Sequence, residues 1–154
     1  MKKLIILLIL INSSGFVFGQ EQNEVSVYFN HVALSVKDAD QSVEFYKTVL
    51  NLKEITNRTK VYGIRWLSLG EGKELHLIST LKGEIKMNKA VHFALTTSDF
   101  DSVITKLKSM NVQYSDWPGN INEISLRADG IKQIYCQDPD GYWIEVNSVA
   151  EKQN

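Results

Sequence analysis

The sequence is poor in cysteine and in excess charge of either sign. Its 154 residues contain one cysteine, Cys136, so no disulfide forms within the chain. The 17 lysines and arginines and 18 aspartates and glutamates leave a formal net charge of −1. No long block of one sign is present, so no nucleic-acid partner is expected. Cys136 shares the apolar face of a predicted strand with Ile134, which favours a buried structural thiol over a nucleophile.

Long apolar runs are also scarce, and the one run of eight residues, 4–11, lies at the N-terminus. Lys2 and Lys3 precede it and Gly19 is a small residue suited to signal-peptidase cleavage, so residues 1–19 are predicted to be a signal peptide. The alternative, a retained membrane anchor, requires a longer run. The mature protein is expected to begin at Gln20, to be periplasmic or secreted, and to make no membrane contact after cleavage.

The rest of the chain alternates between predicted strands and helices. Residues 29–36 and 91–97 alternate apolar and polar side chains, which is typical of half-buried strands. Each precedes a segment with apolar residues at helical spacing. The predicted N-caps of these helices are Asp38 or Asp40 and Ser98 or Asp99. Further strands are predicted at 52–57, 64–69, 75–78, 124–127, 131–137 and 142–147.

The two halves of the chain repeat one pattern. HxALS at 31–35 returns as HxALT at 92–96, and GxxLHL at 72–77 returns as GxxIEV at 141–146. The sequence therefore predicts one α+β domain, residues 27–149, made of two tandem β-α-β-β-β modules. Module one spans 27–82 and module two spans 88–149.

The repeat explains a carboxylate, Glu145, in the middle of the last strand. All three histidines of the chain occupy related repeat positions, His31 and His92 in the first strands and His76 in the slot that Glu145 fills in the second half. A half-buried carboxylate needs a partner, and imidazole and carboxylate together suit Zn, Ni, Co, Mn or Fe(II). If the modules pack side by side, the four side chains converge as a metal site.

The motifs HVALSV, SVEFYKTVLNL, VHFAL and DPDGYWIEV resemble the vicinal oxygen chelate superfamily, which includes glyoxalase I, fosfomycin- and bleomycin-resistance proteins and extradiol dioxygenases. The resemblance covers about residues 29–149. It implies a cupped mixed sheet around a divalent metal, with His31, His92 and Glu145 at ligand positions. His76 stands where glyoxalase I typically has a glutamate. Relatives that build the site between two chains imply a homodimer.

The resemblance implies a metal-dependent, glyoxalase-like lyase or isomerase that acts on a small oxygen-chelating substrate through an enediolate-type intermediate. Glu145 is the predicted catalytic base, and Glu145→Gln is expected to abolish turnover while sparing much of the metal affinity. Four side chains with the same strand parity are predicted to line the substrate site. They are Trp143, Asn147, Tyr135 and Gln133, with Trp66 and Arg127 as weaker candidates.

Two other functions stay open at this stage. A non-haem Fe(II) dioxygenase would use His31, His92 and Glu145 as its two-histidine-one-carboxylate triad. His76 argues against it as a fourth ligand, because it would occupy a position that O2 needs. A metal-free small-molecule binder of the antibiotic-resistance type would need no ligand set at all.

Overall fold

The computed structural model describes residues 27–81, 83–84 and 87–149, so the predicted signal peptide lies outside the described residues. Across these ranges no helix is long and apolar enough to cross a membrane. The elements in chain order are β1 (His31–Ser35), α1 (Ala39–Leu50), β2 (Lys53–Ile55), β3 (Ile64–Gly70), β4 (Lys73–Ile78), β5 (His92–Thr97), α2 (Phe100–Ser109), β6 (Tyr114–Ser115), β7 (Ser125–Leu126), β8 (Lys132–Gln137) and β9 (Trp143–Ser148).

Each module forms its own mixed sheet. Module one has the strand order β1-β4-β3-β2, and module two has the order β5-β9-β8-β6, with β7 paired to β8. In both sheets the first strand runs parallel to the last and ends the described sheet, while the other pairs are antiparallel. The α+β fold of two βαβββ modules is confirmed. The strands lie in two sheets within the chain, one for each module.

The helix boundaries follow the capping residues. Asp38 accepts hydrogen bonds from two backbone N–H groups of α1, and Asp99 accepts one from α2, so one predicted cap of each pair is confirmed. α1 ends at Asn51, which adopts the left-handed conformation that asparagine tolerates. α2 ends one residue before Met110, which is 40 % exposed.

The core lies between the helices and one face of each sheet. Alternate strand residues enter it because side chains alternate between the two faces of a strand. The fully buried side chains include Leu75, Leu77, Leu107, Ile134 and Ile144. Cys136 is buried among them, and burial, reinforced by the nearby Asp138, raises the pKa of its thiol to about 12. The expected structural role of this cysteine agrees with that position.

Two tyrosines join the modules within one chain. The Tyr46 hydroxyl of α1 donates to the Asp138 carboxylate at 2.8 Å. The Tyr142 hydroxyl donates to the Ser35 carbonyl at 2.8 Å and accepts from the Ser35 N–H at 3.1 Å. The strand preference of aromatic residues predicts Tyr142 inside the last strand, but β9 begins one residue later. Its side chain instead meets the open edge of β1.

Candidate metal centre

The four predicted ligands lie on the sheet faces opposite the core, as the strand alternation requires. Ala33 of β1 pairs with His76 of β4, and Ala94 of β5 pairs with Glu145 of β9. The same register in both sheets means that His76 and Glu145 occupy equivalent positions. The structure therefore bears out the repeat, and it places two predicted ligands in each module.

In module two, His92 and Glu145 form a pair, with Nε2 of the imidazole 3.0 Å from Oε2 of the carboxylate. The Tyr135 hydroxyl donates to Oε2 at 2.7 Å, and the Gln133 and Asn147 side-chain amides donate to Oε1 at 2.7 Å each. Glu145 is only 7 % exposed. Burial opposes its ionisation, but the hydrogen bonds from these residues and the charge of His92 outweigh burial and lower its pKa. Glu145 is thus held as an oriented anion.

The backbone determines which nitrogen of His92 faces Glu145. Nδ1 lies 2.7 Å from the Lys89 carbonyl, which can only accept, so Nδ1 carries a proton. In the neutral ring, Nε2 then presents a lone pair to a carboxylate oxygen that is also an acceptor. Such a contact at 3.0 Å needs a positive charge, either a second ring proton or a bound cation. The chemistry of this donor pair fits a divalent metal.

Lys89 also covers the aromatic side chains next to the pair. Its ammonium group donates to the Ser115 hydroxyl and to two loop carbonyls, at 2.9–3.3 Å, and lies 4.8 Å from the Trp143 ring and 5.4 Å from the Tyr135 ring. These residues border a cavity of about 310 Å³. The loop that Lys89 holds brings Trp117 edge-on to His92. Of the four predicted substrate residues, Trp143 alone makes no hydrogen bond to Glu145.

Module one builds its half of the site from stacked planar groups. The His31 and His76 rings stack with centroids 4.3 Å apart, and Trp66 stacks on the other face of His76 at 4.1 Å. The Arg58 guanidinium carbon lies 4.5 Å from the Trp66 ring centre. Glu74 joins His76 to Arg58 around the Trp66 ring, since it accepts from His76 Nε2 at 2.8 Å and from Arg58 at 2.7 Å.

The two weaker sequence candidates have different outcomes. Trp66 belongs to the module-one stack, and its buried Nε1 has no hydrogen-bond partner among the described residues. Arg127 forms an exposed ion pair with Asp129 at 2.8 Å and makes no hydrogen bond to Glu145. It lies in the turn after β7, outside both halves of the site.

Within one chain the two halves do not combine. The described ranges contain no group of three or more histidine, cysteine, aspartate or glutamate side chains arranged to hold a metal ion. His92 and Glu145 meet in one sheet, and His31 and His76 meet in the other. Periodicity alone misses Glu74, Arg58, Lys89 and Trp117. Only Glu74, two residues before His76 on the same strand face, carried a readable signal.

Comparison with known proteins places this geometry in context. A family model described as the glyoxalase/bleomycin resistance protein/dioxygenase superfamily matches residues 28–146. The uncharacterized protein YwbC of Bacillus subtilis is 32 % identical over 122 residues, which cover 75 % of this chain and 93 % of YwbC. Metallothiol transferase FosB of Staphylococcus epidermidis is 30 % identical over 128 residues, 80 % of this chain and 82 % of FosB.

Solved structures share the fold at low sequence identity. Oxidase ChaP-H2 superposes with a TM-score of 0.68 at 22 % identity, covering 84 % of this chain and 98 % of that protein. A lactoylglutathione lyase from Agrobacterium tumefaciens superposes with a TM-score of 0.61 at 18 % identity, covering 82 % and 97 %. The two names describe different reactions, so this likeness concerns the architecture and not the chemistry.

Proposed function

The chain belongs to the glyoxalase/bleomycin resistance protein/dioxygenase superfamily, and we propose that it is a metal-dependent enzyme of this superfamily, a glyoxalase-like lyase or isomerase. The resemblance read from the motifs is confirmed at the level of the superfamily. The observation that carries the proposal is the contact between His92 Nε2 and Glu145 Oε2 at 3.0 Å, because two acceptor atoms face each other there when the ring is neutral.

The metal is held by His92 and Glu145 of one subunit and by His31, beside His76, of another. Three features support a homodimer with sites between its subunits. The two halves of the site lie in separate sheets, β1 and β5 each leave an edge unpaired in the described sheets, and the two modules repeat one ligand pattern. A twofold axis that brings module one against the partner's module two completes two equal sites at once.

The metal identity follows from the donors only as a class. Two imidazoles and a carboxylate suit Zn, Ni, Co, Mn or Fe(II). When bound, such an ion supplies a Lewis acid for two neighbouring oxygens of a small substrate. The Lys89 carbonyl accepts a hydrogen bond from Nδ1 of His92, and this keeps His92 in the tautomer whose Nε2 lone pair is free to bind the metal.

Glu145 carries the negative charge of the site, and its hydrogen bonds determine whether it can also act as a catalytic base. A base that takes a proton from carbon works best with a pKa near the working pH, whereas Tyr135, Asn147 and Gln133 lower the pKa of Glu145. Both lone pairs of Oε2 are engaged at rest, one by the Tyr135 hydroxyl and one on the side of His92. The resting contacts therefore favour the role of a ligand, and the role of a base requires that one of these two contacts break.

The first test is elemental mass spectrometry of protein purified without chelators, followed by assays with α-ketoaldehyde–thiol adducts. We expect about one Zn, Ni, Co or Mn per chain and product formation that stops when the metal is removed. Iron together with O2 consumption would instead favour the dioxygenase. A protein that takes up no metal even after reconstitution would be a metal-free binder, and the proposal would be wrong.

A mixing experiment tests the shared site. His31→Ala and Glu145→Ala each damage every site of their own homodimer. A mixed dimer pairs the intact His31 of one chain with the intact Glu145 of the other, so random co-assembly restores about a quarter of the wild-type sites. Metal content measures this restoration. A site built within one chain would show none, and the dimeric arrangement would have to be abandoned.

FosB supports a second candidate, metal-dependent transfer of a thiol to a small electrophile. Its identity of 30 % over 82 % of its length is the observation in favour. Both candidates use the same metal centre, so they differ in the substrate and in the reaction and not in the ligands. Incubation with a thiol and a panel of small electrophiles, with the α-ketoaldehyde adducts in parallel, separates them by mass spectrometry of the products.

Export remains part of the proposal on the strength of residues 1–19. The apolar run and the two preceding lysines are the support. Intact mass of the protein recovered from the periplasm or the medium is expected to match a chain that begins at Gln20. Recovery of the full-length mass from the cytosol would contradict export without affecting the metal centre.

A further inference from the structure

The stack in module one restricts which histidines can hold one metal ion. A ring nitrogen binds a metal through a lone pair in the plane of the ring, at about 2.0–2.1 Å. The planes of His31 and His76 differ by only 16°. With faces roughly 3.5 Å apart, the ordinary contact distance of carbon atoms, two such planes meet roughly 12 Å away. A metal in the plane of His31 therefore lies far outside the plane of His76.

The other contacts of His76 are already those of a supporting residue. Its Nε2 donates to Glu74, one face is covered by Trp66, and the opposite face by His31. Only 14 % of its side chain is exposed. Arg58 closes the set, because it pairs with the second oxygen of Glu74 and lies over Trp66. The groups are stacked in the order Arg58, Trp66, His76 and His31, and each one limits the rotation of its neighbour. His31 is the outermost ring of this stack.

We propose that His76 is a positioning residue and not a metal ligand. It holds the His31 ring by stacking, and the donors that remain are the three that the superfamily resemblance implies, His31, His92 and Glu145. This inference rests on the proposed metal-dependent function and changes its consequences. Three protein donors leave positions open for both oxygens of a chelating substrate. His76 therefore does not exclude O2 chemistry by acting as a fourth ligand.

The number of histidine rings that bind the metal can be counted directly in the wild-type protein, because it contains three histidines. Protein without a histidine tag is labelled with 15N at the histidine rings, and long-range 1H–15N spectra are recorded before and after Zn(II) is added. We expect two rings to acquire a metal-bound nitrogen and the third to keep its protonated Nε2. Three bound rings would overturn the inference and leave the metal centre intact. No bound ring would overturn the metal centre and the inference with it.

A pair of variants tests the stacking itself. His76→Phe keeps a flat ring between Trp66 and His31 but removes both nitrogens, whereas His76→Ala removes the ring. Zn(II) affinity is measured by competition with a chelating dye, with circular dichroism as the check on folding. We expect His76→Phe to stay within about twofold of wild type and His76→Ala to lose about 3–10-fold, which is the size of effect that one stacking contact has.

The comparison with a true ligand decides the outcome. His31→Ala is expected to lose more affinity than either variant of His76, because it removes a donor. The absorption spectrum of the Co(II) form is a second measure, and we expect that of His76→Phe to match wild type. If His76→Phe loses as much affinity as His31→Ala and its Co(II) spectrum changes, His76 is a ligand. Should His76→Phe fail to fold, the ring count on the wild-type protein still decides the question.

Discussion

The two halves of the candidate site orient their predicted ligands through different interactions. In module two the anionic donor Glu145 is buried and oriented by four polar contacts, three from hydrogen-bond donors on its own sheet and one from His92. In module one the exposed predicted donor His31 is oriented mainly by ring stacking, with His76 and Trp66 behind it, and its Nδ1 donates one exposed hydrogen bond to the Asn30 amide oxygen. Equivalent positions of one repeat, His76 and Glu145, thus differ in their use.

This difference teaches that sequence equivalence does not assign a role. A carboxylate binds a cation through charge, and its hydrogen-bond donors determine where that charge points. A neutral imidazole has two flat faces that a neighbouring ring can cover, and stacking of this kind contributes about 0.5–1.5 kcal/mol per pair. The hydrogen-bonded half should therefore be more sensitive to substitution than the stacked half.

The largest effect is expected for Glu145→Gln. The amide removes the negative charge and turns one acceptor into a donor, which faces His92 and Tyr135. We expect metal affinity and turnover to fall together, by more than the 10–100-fold typical of supporting residues. Competition with a chelating dye measures the affinity, and Glu123→Gln on the exposed surface is the control. Retained metal with lost turnover would instead assign Glu145 the role of a base, as first expected from sequence.

The second largest effect is expected for Tyr135→Phe. It removes one hydrogen bond to Glu145 while keeping the ring between His92 and Trp117. We expect metal affinity to fall about 10–100-fold, as measured by the same competition. Tyr114→Phe, on the neighbouring strand β6 and without a hydrogen bond to Glu145, is the matched control. Equal affinities for the two variants would show that the hydroxyl does not support the ligand.

Trp66→Leu tests the stacked half. The substitution keeps an apolar side chain on β3 but removes the ring behind His76, at a cost of about 0.5–1.5 kcal/mol. We expect a loss of metal affinity of about 2–10-fold, smaller than for Tyr135→Phe. A loss larger than that of Tyr135→Phe would reverse the order of the two halves. Trp66→Phe, which retains a ring, should lose less than Trp66→Leu.

Tyr46→Phe acts between the modules and should affect neither half of the site. It removes the hydrogen bond from a fully buried hydroxyl to Asp138, which keeps two backbone donors. We expect a loss of about 1–3 kcal/mol in the free energy of unfolding, measured by urea denaturation, with metal affinity unchanged once the protein is folded. Tyr62→Phe, at a side chain 98 % exposed, is the control. A changed affinity would couple this contact to the site.

The smallest effect is expected at Cys136. Its thiol is buried on the core face of β8, and its pKa is raised to about 12, first by burial and then by Asp138. Iodoacetamide at pH 8 should leave the folded protein unmodified and label it fully in denaturant, as mass spectrometry can show. Rapid labelling of the folded form would mean that module two opens locally.

Much of the fold could be predicted from the sequence because it depends on patterns of neighbouring residues. Strand alternation, helical spacing and the aspartate caps predicted both modules. The short strand β6 was missed because two residues carry no periodicity. Tyr142 was assigned to the last strand because aromatic residues favour strands, whereas a tertiary hydrogen bond to Ser35 directs its side chain to β1.

The candidate site was readable only in part. Repeat spacing identified His31, His76, His92 and Glu145, and strand parity identified the three residues that donate to Glu145. Spacing says nothing about the angle between two rings, so it could not tell that His31 and His76 stack. Spacing also gives no role to Lys89, although its carbonyl orients His92 and its ammonium group holds the adjacent loop.

By itself the sequence determined the superfamily, the repeat and the face on which each predicted ligand lies, since these depend on the period of two along a strand and on short motifs. Only the tertiary structure decided which predicted ligands meet, because that depends on how whole sheets are placed and how side chains rotate. It paired His92 with Glu145, stacked His31 on His76, and kept the two pairs in separate sheets of one chain.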